Sequence, residues 1–158
     1  MTRKRSKYKP KAVLTDPMTW VKKGMERVAE NEQAVVLKLR NHDALVEVTQ
    51  GRGDRRVMDV LIAAMNLAEA FATLYPGKMG GHLMDDIRIA QDALLDMGRR
   101  GLIRGSFLFT GQELQAINIG MEIHDLQMEV CTIAELEKAL DLVAEAIRQR
   151  RVRRIVNG

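Results

Sequence analysis

A chain of 158 residues is the size of one domain, and 46% apolar residues supply enough for a packed core, which excludes global disorder. Aromatics make up only 4% while there are ten methionines, a balance that favours helices over sheets because unbranched side chains lose little freedom in a helix. The net charge of +4 is unevenly laid out, the single cysteine (Cys131) excludes an internal disulfide, and no apolar run approaches the roughly 18 residues of a membrane span.

Residues 1–15 carry no hydrophobic period and read as a flexible basic arm, with Arg3, Lys4, Arg5, Lys7, Lys9 and Lys11 and no acid before residue 16. A helical domain is expected over 16–150, followed by a basic tail over 151–158. The domain opens with Asp16 as N-cap, Pro17 at the first helical position, and Met18, Val21, Met25 and Val28 at helical spacing, which predicts a first helix. Residues 32–50 predict a second helix, interrupted at Asn41, although "AVVLKL" alternates as a strand would. Asp54 caps a third helix to about Tyr75, with Val57, Leu61, Ala64, Ala68 and Phe71 on one face, and "YPGKMGG" stops it. A fourth carries Leu83, Ile87, Ala90, Leu94 and Met97 and is expected to end between Gly98 and Gly101.

The last two helices have the best start signals. Thr110 with Glu113 and Thr132 with Glu135 both match the capping box, in which two side chains satisfy orphan N–H groups reciprocally. The fold expected is all-α, a single-domain bundle of about six helices. The fifth helix, residues 112–131, shows two apolar strips: Leu114, Ile117, Met121, His124, Met128 and Cys131 on one, and Ala116, Ile119, Ile123, Leu126 and Val130 on the other. A helix apolar on two sides is packed on two sides, so this one is expected at the centre.

The same segment gathers side chains of metal and acid–base chemistry. His124 and Cys131 lie two turns apart, about 10 Å along the axis, too far to share a small ion directly. The Glu–His i,i+3 spacing of di-iron bundles and the His–His i,i+4 spacing of helical zinc sites are absent. Glu122, Asp125 and Glu129 form a row of carboxylates that reads as a solvated face, or one met by cations of a neighbouring helix. No nucleophile or phosphate loop accompanies them. No catalytic residue, metal ligand or cofactor is therefore assigned, and an enzyme remains a remote reading that would need Glu122, His124 and Asp125 to share a pocket with Asp92 or His42.

Charge carries the functional reading. At the other end, Arg148, Arg150, Arg151, Arg153 and Arg154 follow one another within seven residues. Basic residues near a helix C-terminus complement its dipole, but one or two suffice for that. The two basic ends together hold eleven of the 25 Lys and Arg residues, which leaves 14 against 21 acidic ones, a middle of −7. Arginine clusters and a Lys/Arg arm suit phosphate backbones, and Arg99, Arg100 and Arg104 could extend the patch. The expectation is a non-enzymatic accessory protein whose ends contact nucleic acid non-specifically and with strong salt dependence. The alternative is a protein–protein interaction module: a homo-oligomer, or an adaptor or inhibitor whose partner is an acidic protein or a host protein. No membrane contact is expected, and the composition suits a cytoplasmic protein.

The segments "KYKPKAVLTDPMTWV", "NHDAL", "LIAAMNLAEAFA", "AQDALLDMGRRG" and "FLFTGQELQAINIGMEIHDLQMEVCTIAELEKAL", in that order, resemble small proteins encoded by phages and prophages of proteobacteria. The resemblance runs from about Tyr8 to Leu142. It implies a phage accessory protein acting in the cytoplasm of a bacterial host cell, with no activity or site residue to carry over.

Overall fold

The computed structural model describes residues 27–28 and 31–149. Five α-helices account for most of them: α1 (Glu32–Thr49), α2 (Arg55–Leu74), α3 (Met84–Arg104), α4 (Gly111–Val130) and α5 (Ile133–Arg148), with a 3-10 turn at Gly81–Leu83. No strand occurs among the described residues, and the fold is all-α. The first helix expected from the sequence lies outside the described residues apart from Arg27 and Val28. Those two are not α-helical: Arg27 pairs across to Thr132 in an antiparallel bridge, and the Val28 N–H donates to the Cys131 carbonyl at 3.0 Å.

Local signals place each start. The Asp54 carboxylate accepts from the Val57 N–H at 2.9 Å and caps α2. Both capping boxes form, Thr110 with Glu113 at α4 and Thr132 with Glu135 at α5. Helix α1 runs unbroken through Asn41, which is buried at 4% exposure rather than marking a break.

Two expectations are corrected. Helix α3 does not end at Gly98–Gly101 but continues to Arg104 and stops at Gly105, whose φ of 75° is the left-handed conformation that favours glycine. Gly98 and Gly101 are buried instead, and a Cβ on Gly101 would lie 2.2 Å from the Phe107 ring. There glycine makes room for an aromatic ring. The centre of the bundle is also not the helix expected: α2 packs against each of the other four helices, and α4 lies to one side, mainly on α3 and α2. Met58, Leu61, Met65, Ala68 and Phe71 of α2 are at most 2% exposed. The composition of α2 is apolar enough for a membrane span, with a mean hydropathy of 1.6, and in this fold its apolar surface serves as the hub.

Alanine, glycine and methionine let the helices approach closely. A Cβ on Gly120 of α4 would meet the Ala90 Cβ of α3 and the Met65 sulfur of α2, each at 2.6 Å, so this glycine marks where three helices converge. A second cluster gathers Val28, Leu67, Phe71, Met79, Met128, Cys131 and Ala139 around the junction of α4 and α5. Gln127 ties it together from inside, its amide donating to the Ala68 carbonyl at 3.1 Å and to the Met79 carbonyl at 2.9 Å. Burial pushes the Cys131 thiol up to about 11, which makes it a packed, unreactive side chain at neutral pH.

Candidate interaction surface

Two carboxylates of the α4 row meet partners from α1: the Lys38 ammonium and the His42 imidazole. His42 Nε2 lies 2.7 Å from Asp125 Oδ2, and Lys38 Nζ lies 3.5 Å from Glu129 Oε1. Residues 38 and 42 are one turn apart on α1, as 125 and 129 are on α4, and they match in reverse order, so the two helices run antiparallel along this seam. The seam is partly solvated. The His42 and Asp125 side chains are 43% and 21% exposed. An exposed ion pair such as Lys38–Glu129 contributes about 0.2–1 kcal/mol, so these contacts fix register more than they add stability.

Apolar residues flank the seam on the solvent side. On α1, Val35, Leu39 and Val46 fall at steps of four and seven, which puts them on one side of the helix, and they are 50%, 58% and 48% exposed. Val36 beside them is 64% exposed. On α4, Ile119, Leu126 and Val130 share the face that the sequence led us to expect in the core. Only Ala116 and Ile123 of that second strip are buried, while Leu126 is 61% exposed. The strip stays open because α2 and α3 already occupy the other side of α4, and among the described residues no further helix covers it.

A groove of about 300 Å³ lies elsewhere, between α3 and α5 over α2, walled by Leu94, Leu95, Leu142 and Val143. At its floor, the Gln91 amide donates to Glu69 Oε2 at 2.9 Å and to Asn66 Oδ1 at 3.3 Å. The group that would have made an acidic pocket does not assemble. His42 and Asp125 meet, but His124 is buried against Phe71 on another side of α4 and Glu122 is exposed. Among the described residues no three His, Cys, Asp or Glu side chains converge as a metal site would require.

Of the basic residues singled out in the sequence, Arg3, Lys4, Arg5, Lys7, Lys9, Lys11, Arg150, Arg151, Arg153 and Arg154 lie outside the described residues. Arg148 pairs with Glu145. Arg100 is engaged by its own chain, making two contacts of 2.5 Å to Glu113 and one of 3.0 Å to the Leu108 carbonyl. Arg99 and Arg104 are exposed on α3. In the sequence Leu37, Ala44, Leu45 and Val48 fit one helical face of this segment, and the burial of Ala44 and Val48 together with Asn41 puts that side inward. The outward row of Val35, Leu39 and Val46 does not stand out in the sequence because its residues share helical spacing too.

No family model, no curated protein and no solved structure matches this chain.

Proposed function

We propose that this protein is a non-enzymatic interaction module that self-associates through the outward side of α1. The observation that carries the reading is the row Val35, Leu39 and Val46, each about half exposed or more, on a helix whose opposite side is in the core. Burying the exposed half of three such side chains contributes about 1 kcal/mol apiece on each copy, and the seam of Lys38 and His42 beside them gives the contact a polar border. Changing all three to serine tests it. Light scattering should show wild type gaining mass with concentration and the triple variant holding at one chain, with unchanged helical content. Equal behaviour of the two proteins rejects the reading.

A second reading rests on charge layout. Of the chain's 25 basic and 21 acidic residues, 13 and 18 lie among the described residues, so the body is negative and repels polyanions. Six of those 13 cations are already paired with carboxylates: Lys38, Arg52, Lys78, Arg88, Arg100 and Arg148. Nucleic-acid binding in this reading belongs to the two basic ends and to phosphate contacts alone. Removal of residues 1–11 and 150–158 should abolish retardation of a DNA or RNA fragment. Retention of full binding by the truncated body sinks it.

A further inference from the structure

The buried polar side chains among the described residues are Asn41, His124 and Gln127, and only His124 can take up a proton near neutral pH. It is 1% exposed, and neither ring nitrogen has a hydrogen-bond partner. Gln127 follows one turn later. Its amide nitrogen holds the Ala68 and Met79 carbonyls, while its Oε1 is also without a donor. A neutral imidazole carries one N–H and one acceptor, so it can rest in such a place at modest cost. An imidazolium carries two N–H groups and a charge, and the one polar side chain beside the ring, Gln127, has a single carbonyl oxygen and cannot accept from both.

The neighbours do not rescue the charge: burial outweighs them. Asp125 on α4 and the Gln127 side chain one turn on favour the proton and His42 on α1 opposes it, while α2 faces the ring with Phe71, its centroid 6.5 Å away. We propose that His124 is an acid-operated latch, whose protonation lifts α4 and Gln127 away from α2 and the turn at residues 75–81 before the bundle as a whole unfolds. The proton can be accommodated only where water reaches the ring. Reaching it moves Gln127, and with it the two carbonyls that Gln127 holds.

Desolvation pushes the His124 pKa down to about 4 from 6.5. The closed form therefore gains full stability above 6.5 and loses it progressively as pH falls from 6.5 towards 4. Each unit well below 6.5 and above 4 favours the open form about tenfold, so opening should rise roughly twentyfold between pH 7 and 5.

Cys131 is a built-in reporter, being the only cysteine and packed in the same cluster as Phe71, Met79 and Met128. Its labelling by 4,4′-dithiodipyridine in the full-length protein, divided by that of a free cysteine peptide at each pH, measures opening. Circular dichroism recorded alongside reports the helices. Wild type should rise by that factor with helicity retained, H124F and H124Q should stay flat, and H42Q should still rise. A flat wild type overturns the proposal, as does a rise unchanged in both His124 variants or one abolished by H42Q. Should the variants not fold, ring NMR of the wild type decides: His124 neutral through pH 5 in the closed form supports the latch, and a midpoint near 6.5 overturns it.

Discussion

Arg100 grips Glu113 with two contacts of 2.5 Å, and the same carboxylate accepts the Thr110 N–H at 2.8 Å, so one side chain closes the α3–α4 connection and caps α4. The Arg100 fork holds the Glu113 carboxyl below the usual carboxylate range, and burial only partly offsets it. A depressed carboxyl stabilises the fold above the unfolded value of 4.5, and that contribution fades as pH falls through the folded pKa. The E113Q variant should therefore be less stable by about 2 kcal/mol at neutral pH. Urea unfolding of both proteins checks this, and the gap between them should narrow below pH 4.5.

Gly120 should not tolerate a methyl group. With Ala90 Cβ and Met65 sulfur each 2.6 Å from where it would sit, G120A must push α3 or Met65 aside, at a cost of about 1–3 kcal/mol. The second-site change A90G removes one of the two obstacles and should restore part of the loss. Thermal denaturation of the two single variants and the double variant tests the coupling, and purely additive losses would place the cause elsewhere.

Gln127 holds two buried carbonyls from different segments. Replacing it by leucine leaves the Ala68 and Met79 carbonyls without those donors, and about 2–4 kcal/mol of stability should be lost. Hydrogen exchange should show the loss first as faster exchange in residues 75–81. Uniform acceleration across all helices would mean that Gln127 does not hold that turn in particular.

If the basic ends bind nucleic acid by phosphate contacts, affinity must collapse with salt. Six to ten contacts predict a fall of about 10³–10⁵-fold between roughly 50 and 200 mM salt. Shift assays at several ionic strengths measure this slope, and a flat response excludes the phosphate-contact reading.

Sequence pattern disclosed what local chemistry decides. The two capping boxes and the Asp54 cap are satisfied within three or four residues of one chain, so they form as their letters suggest. Residues whose role depends on distant neighbours were opaque. Gly98 and Gly101 look like a helix stop until the Phe107 ring is found against Gly101, and Ile119, Leu126 and Val130 look like core until α2 is found to occupy the centre. The seam pairs Lys38 with Glu129, 91 positions apart, and nothing in the local sequence specifies that match.

Sedimentation equilibrium of the full-length chain over a wide concentration range tests self-association through α1 most directly. The average mass should climb from the 17.8 kDa of one chain towards two or more copies. A mass that stays at one chain throughout, with the Val35–Leu39–Val46 row intact, contradicts it.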